Sequence, residues 1–464
     1  MKLTYQVEDK PKFGQILLFA LQQLLAILAA TIAVPAMVNA ECAKFGAAPA
    51  LSPSAALFGA GVGTLIYLLF TRFKSPVFLG SSFSFIASMT AAFAGGVSMT
   101  LGYLGLILGA VFAGLVYVIL AIIVKIVGVG WINKIMPAVV IGPTVAIIGL
   151  TLSGSAVADV MNLEPEKRSS PLASPYICMF CGLLTLFVTM VCSVYGKKMM
   201  KMIPFIIGIV SGYAVASVFT LVGMANDVDA LKVVDFSKFT QMQWYPDFSF
   251  VKAMFYPGTF AYGDYKSMGS YLFVIFMAYA PVAFVVFAEH IADHKNLSSI
   301  IEKDLLKEPG LHNTLLGDGI GSMAGAFFGG CPNTTYGESI GCVAISGNAS
   351  IVTIFTTAVM AIIASFIAPF ETFLSTIPNC VMGGVCFALY GFIAVSGLKM
   401  IQSANLEDNR NLFTVSVILI AGVGGFVLHF GTVEIKTIAC ALILGIITFL
   451  VLGIGSKNKE EKKE

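Results

Sequence analysis

The chain has 464 residues, of which 58% are apolar and only 11% charged, and its mean hydropathy is +0.91. Those values exclude an ordinary soluble domain. A formal net charge of +2 with no basic stripe gives no footing for nucleic acid.

A membrane span needs about 20 apolar residues, and the chain supplies such runs repeatedly. We count fourteen spans, so the expected fold class is an all-α polytopic membrane protein. The first span runs from Gly14 to Met37. Lys10 and Lys12 before it, and Val38-Asn39-Ala40 after it, give it the outline of a signal peptide. It exceeds a signal core of about 7–15 residues, so it reads as an uncleaved span. Spans 2 to 7 start near Ala55, Pro76, Met99, Lys134, Pro175 and Met202. Spans 8 to 14 start near Met268, Leu311, Pro332, Ile351, Pro378, Leu412 and Thr432. The third (Pro76 to Phe93) and the tenth (Pro332 to Ser346) are short, begin with Pro, and are rich in Gly, Ser or Thr. Both are poor helices. Irregular backbone at membrane depth survives only where protein or a wet cavity satisfies it.

Lys and Arg set the orientation. With both termini inside, 19 of the 27 basic residues are cytoplasmic, as the positive-inside rule asks. The cytoplasmic group runs from Lys2, Lys10 and Lys12 through Lys197, Lys198 and Lys201 to the tail Lys457, Lys459, Lys462 and Lys463. The long loops Ser155 to Ser174 and Met224 to Ser267 fall outside and mix acidic with basic residues. Nine cysteines lie mostly inside apolar runs and read as small packing residues. Cys178-x-x-Cys181 has no second pair, so no metal and no cofactor is expected.

The halves echo each other. Pro137-Ala-Val-Val-Ile-Gly142 opens span 5 and Pro378-Asn-Cys-Val-Met-Gly383 opens span 12; each run continues to a late Ser-Gly, at 153–154 and 396–397. Seven is odd, so the second half runs inverted: two inverted seven-span repeats. Interrupted spans at matching places in such repeats point to a transport site at the midplane.

Ionisable groups at that depth cost roughly 2.5–3.5 kcal/mol each and mark ligand or ion paths. Glu289 and Asp293 end an apolar run and, four apart, share one helix face. Titrating there, a carboxyl group can take up and release a proton during transport. The bland alternative is a solvated flank, Glu289 to Lys295. His290 and His294 lie well round the helix from Glu289, and His294 reads as interfacial; His312 and His429 are given no role. Glu338 sits in the polar segment Pro332-Asn333-Thr334-Thr335-Tyr336-Gly337-Glu338. A half-helix starting there would offer free N–H groups, and Gly80-Ser81-Ser82-Phe83 could do the same from span 3. Phe83 in such a setting is a packing residue first and a stacking residue second. Carboxylates that accept and amides that donate suit a flat amide-like ring such as a nucleobase. No Ser/His/Asp constellation supports an enzyme, and no phosphate-binding loop supports ATP drive.

These segments resemble the nucleobase–ascorbate transporters (nucleobase:cation symporter-2), and within them the bacterial uracil permeases. Leu21-Gln22-Gln23-Leu24 to Pro35 resembles their first span, Gly80 to Phe83 the third, Ala288-Glu289-His290 the eighth, Lys303 to Leu306 and Pro309 to His312 its loop, and Pro332 to Glu338 the tenth. The resemblance implies a core domain (14–130 and 268–370), a gate domain (131–225 and 371–455), an extracellular loop (226–267) and a cytoplasmic tail (456–464). It implies short β-strands in spans 3 and 10. It implies uracil uptake with protons across the cell (inner) membrane, by a homodimer within lipid. Glu289 and Glu338 would hold the ring, and Phe83 and Gly337 would donate backbone N–H groups. Ala30 and Tyr336 would line the pocket, with Cys386 and Tyr390 facing it from the gate. Proton coupling would fall to Glu289, Asp293 and Glu338. Gln23 and Asp293 stand where the best-known uracil permeases have His, and Cys386 replaces a Ser. Asp293 is similar to the xanthine and urate branch, but that branch has Gln where this chain has Glu338, which favours uracil. A purine transporter of the same family is the first alternative, and an anion transporter of related fold the second.

Overall fold

Proline marks the starts of the spans because its missing N–H is an orphan at a helix N-terminus anyway. Pro53, Pro175 and Pro204 each open a helix, and Pro137 and Pro378 cap two more. The computed structural model describes residues 3–163, 172–197, 199–242, 244–255, 260–402, 404–430, 433–435 and 437–460. Lys2, then Lys167 and Arg168 of the first long loop, Lys198, Lys436, and Lys462 and Lys463 of the tail lie outside the described residues.

Helices α1 (Phe13–Ala43) and α2 (Pro53–Phe70) come first. The third run then breaks into strand β1 (Leu79–Ser81), a 3-10 turn (Phe83–Phe85) and the short helix α3 (Ile86–Ala91). Next come α4 (Met99–Val127), the short α5 (Gly130–Ile135) and α6 (Ala138–Val160). After them lie α7 (Pro175–Tyr195), the one-turn α8 (Met199–Met202) and α9 (Pro204–Ala225). The long loop holds α10 (Ser249–Met254).

The second half opens with α11 (Met268–Ile301), capped by Ser267, and α12 (Leu311–Gly329). The tenth run breaks as the third does, into strand β2 (Asn333–Thr335) and helix α13 (Gly337–Ser346). α14 (Ile351–Ala364) and α15 (Ala368–Thr376) meet at an 84° bend. α16 (Asn379–Ile401), α17 (Asn409–Val423), the hairpin β3 (Leu428–Phe430) and β4 (Val433–Ile435), and α18 (Thr437–Glu460) close the chain.

Among the described residues, nine helices are long and apolar enough to cross a membrane, or ten if the bent pair is one crossing. The fourteen spans of the sequence are therefore not fourteen continuous apolar helices. Runs 3 and 10 are split by strands, α17 is short, and α12 loses apolar character to Asn313, Asp318 and its glycines.

Two groups of helices emerge from the packing. α6, α7, α9, α16, α17 and α18 contact one another, while α2, α4, α11, α12 and α14 form a second set; α1 touches both. Glycine permits a close crossing of α2 on α12. A Cβ at Gly59 would lie 2.7 Å from the carbonyl of Gly325, and one at Gly63 2.7 Å from that of Gly321. Small residues at such crossings replace the hydrophobic drive that lipid removes.

Gly59→Val should push α2 off α12 and cost about 1–3 kcal/mol. The detergent-purified variant should melt several degrees below the parent; an unchanged melting temperature would show that the crossing tolerates bulk.

Candidate functional site

A strand inside a membrane must pair every backbone group. β1 and β2 pair antiparallel, with Leu79 opposite Thr335, Gly80 opposite Thr334 and Ser81 opposite Asn333. The ribbon is extended at both ends: Ser82 N–H donates to Pro332 O at 2.9 Å, and Tyr336 N–H to Phe78 O at 3.2 Å. Side chains serve the outer edges. Leu79 N–H donates to Thr64 Oγ1 at 2.9 Å, and Phe78 N–H to Ser339 Oγ at 3.0 Å. Asn333 Nδ2 donates to Gly59 O at 3.0 Å, which fastens β2 to α2. Gly80 is required because the Tyr336 ring lies over it; a Cβ there would come within 2.3 Å of ring carbons. The Tyr336 hydroxyl returns a hydrogen bond to Ser81 O at 2.9 Å.

Beside the ribbon is a cavity of about 360 Å³. Glu289 and Asp293 of α11 line it, one turn apart, and Glu338 lines it from the first turn of α13. All three carboxylates are half-buried. Ser84 Oγ donates to Glu289 Oε2 at 3.2 Å, and Thr335 Oγ1 to Asp293 Oδ2 at 2.7 Å. Each broken span therefore supplies a hydroxyl to one carboxylate of α11. Gly337 faces the same space, and a Cβ on it would meet nothing within 4 Å. The first amides of a helix have no partner within it, so this end of α13 presents donors beside acceptors.

Of the residues singled out in the sequence, Glu289, Asp293, Glu338, Phe83, Tyr336 and Gly337 come together on this cavity. Ala30, Cys386 and Tyr390 are buried and are not among the residues lining it. Tyr390 instead packs edge-on against Phe83, ring centres 5.7 Å apart, and its hydroxyl meets the sulfur of Met37. A second cavity, about 510 Å³, lies farther along α1 and α16, bordered by Ile32, Ala36, Asn39 and Met382. Larger volume does not make it the site: the three carboxylates, the helix start and the strands all border the smaller one.

His294 corrects the sequence reading. It is 1% exposed rather than interfacial, because its Nε2 meets the Tyr67 hydroxyl at 2.7 Å and its Nδ1–H donates to His290 O at 2.8 Å. His290 also has an acidic partner the sequence did not reveal. Its Nδ1 is 2.7 Å from Asp318 Oδ2, and its Nε2 is 3.0 Å from Thr314 Oγ1. This cluster locks α11 to α12 behind the cavity. Asn296, Lys201, Ser193 and Ser396 also line the cavity unforeseen. Only Asn296 had a signal, since 289, 293 and 296 fall on one helix face.

A family model described as "Permease family" (Xan_ur_permease) matches residues 14–430. A uracil permease of Bacillus caldolyticus is 38% identical over 457 residues, 97% of this chain and 95% of that one. Uracil permeases of Bacillus subtilis (strain 168) and Escherichia coli (strain K12) are 35% and 32% identical. They cover 100% and 98% of this chain, and 98% and 95% of their own. Among solved structures, the transmembrane domain of the cyanobacterial bicarbonate transporter BicA superposes with a TM-score of 0.60 at 16% identity, covering 96% of this chain and all of that one. SLC26A9 gives 0.61 at 13%, covering 96% and 66%.

Asp318→Ala should orphan the buried His290 Nδ1, an unpaired polar group that costs about 1–3 kcal/mol. The expected result is a lower melting temperature of the purified protein; an unaltered one would mean the pair contributes nothing to holding α11.

Proposed function

Since this chain belongs to the Xan_ur_permease family, the nucleobase:cation symporter-2 transporters, and is a multi-pass membrane permease and not an enzyme, we propose that it imports uracil by proton symport. What supports this reading is the meeting of Glu289, Asp293 and Glu338 with the start of α13 on one cavity. Uracil has two ring N–H donors and two carbonyl acceptors. Glu289 and Glu338 accept the N–H groups; the backbone amides of Phe83 and Gly337 donate to a carbonyl. Tyr336 forms a wall of the pocket. Ala30, Tyr390 and Cys386 back the pocket, Tyr390 through its edge-on contact with Phe83.

Three carboxylates this near titrate as a set and not singly. Asp293, where the best-known uracil permeases have His, holds the transported proton together with Glu289 and Glu338. The chain crosses the cell membrane fourteen times, as two inverted seven-span repeats with both termini cytoplasmic. Residues 14–130 and 268–370 form the core; 131–225 and 371–455 form the gate. The cavity borders Lys201, Asn296 and Met400, on the side that the Lys and Arg bias assigns to the cytoplasm, so the conformation is inward-facing. Rocking of core against gate then exposes the site to either side in turn. The likeness to bicarbonate and anion transporters is one of fold at 16% identity or less. A cavity lined by three carboxylates is a poor host for an anion.

Radiolabelled uracil uptake into proteoliposomes tests the reading. Uptake should rise with an inwardly directed proton gradient and collapse with a protonophore. Glu338→Gln should lower it by roughly 10- to 100-fold, the worth of a charged hydrogen bond, with the protein still folded. Uptake by that variant at the parent rate would refute the role of Glu338, and indifference to the gradient would refute symport.

A further inference from the structure

Residues 3–9, ahead of α1, are tied back to the body of the protein. Thr4 and Tyr5 both donate backbone N–H groups to the carbonyl of Gly347, at 2.7 and 3.1 Å. The chain then runs parallel to the segment after α13: Ala349 N–H donates to Tyr5 O at 2.9 Å and Ile351 N–H to Val7 O at 3.0 Å. Ser350 Oγ donates to Asp9 O at 2.6 Å. Tyr5 also reaches the start of α1 through its hydroxyl, which donates to Gln15 Oε1 at 3.0 Å. One side chain of this strap is fully committed: Val7 is 2% exposed. It shares a buried apolar cluster with Ile340 and Val343 of α13, Leu297 and Ile301 of α11, and Leu79 of β1. Those are the three elements that hold Glu338, Glu289 with Asp293, and the ribbon.

α13 has only ten residues, too short to be stable by its own hydrogen bonds. Its N-terminal end faces the open cavity. Its other end stops at Gly347, in the left-handed region at φ +67°, where the strap takes up the freed carbonyl. We propose that residues 3–9 are a positioning strap, which fixes the far end of α13 against α11 and thereby holds Glu338 in the geometry that binds substrate. The strap acts through α13 and touches no substrate. Its exposed ion pair, Lys303 with Glu8 at 3.1 Å, adds little; the backbone bonds and Val7 do the holding.

The inference rests on the uracil reading only for its kinetic test. Two variants are compared with the parent: removal of residues 3–9, and Val7→Thr, which keeps the shape but loses apolar contact. Loss of preorganisation should raise KM for uracil about tenfold or more for the deletion and less for Val7→Thr. Vmax per folded transporter should stay within about twofold. Mere loss of stability would reduce the amount of folded transporter and leave KM unchanged, which overturns the proposal. Hydrogen exchange of the purified protein supplies an arm free of substrate. Amides 339–346 should exchange faster in both variants, and parental exchange there overturns the proposal even if KM shifts. If the parent takes up no uracil, the functional reading fails while the exchange arm still decides the strap. If the deletion does not fold, Val7→Thr decides both arms.

Discussion

Inside a bilayer a chain that leaves the helix must find a new partner for every N–H and C=O, because no water is there to supply one. In this protein the partners come from opposite halves of the sequence. Leu79 to Ser81 pairs with Asn333 to Thr335, the hydroxyls of Thr64 and Ser339 accept from the outward N–H groups of Leu79 and Phe78, and the Asn333 amide ties the ribbon to α2. The pairing fixes where two helices can begin. One of them, α13, starts beside the cavity with Gly337 and Glu338 in its first turn. Were the ribbon to slip by one residue, every side chain on it would change face. Thr335 would then leave Asp293, and Tyr336 would leave Gly80.

The rest of the core reads as support for that arrangement. α2 and α12 touch backbone to backbone through Gly59, Gly63, Gly321 and Gly325, which leaves room for Asn333 to reach between them. Behind α11 a buried cluster of His290, Asp318, Thr314, His294 and Tyr67 is fully inside the protein. Such a cluster adds less net stability than its contacts suggest, since desolvation offsets much of the gain. It does specify one seating of α11 on α12, and so one direction for Glu289 and Asp293. From the other end, the segment before α1 ties α13 to α11 through Val7.

The sequence made some of this legible and hid the remainder for physical reasons. Runs that start with Pro and carry Gly, Ser and Thr announced the two interrupted spans, because no continuous apolar helix suits them. The spacing of Glu289 and Asp293 gave their shared face, and the polar flank of Glu338 set it apart from a span end. Strand pairing itself could not be read from three-residue segments far apart in the chain; it came from family resemblance. Asp318 was invisible as a partner of His290 because contact across two helices leaves no local pattern. His294 misled through its neighbour Lys295, whose charge said interface while the ring pointed inward to Tyr67. Tyr390 and Ala30, expected in the pocket, are buried and absent from its lining, and Tyr390 packs edge-on against Phe83, which does line it.

Membership of a nucleobase permease family and the convergence of acceptors with helix-start donors point to one idea: a flat ring is held by its own N–H groups between two acidic side chains. Calorimetric titration of the purified protein with uracil, 1-methyluracil and 3-methyluracil tests it most directly. Each methyl group removes one N–H and leaves its acceptor unpaired, so each analogue should bind at least about tenfold more weakly than uracil. Equal affinity for all three would contradict the carboxylate grip.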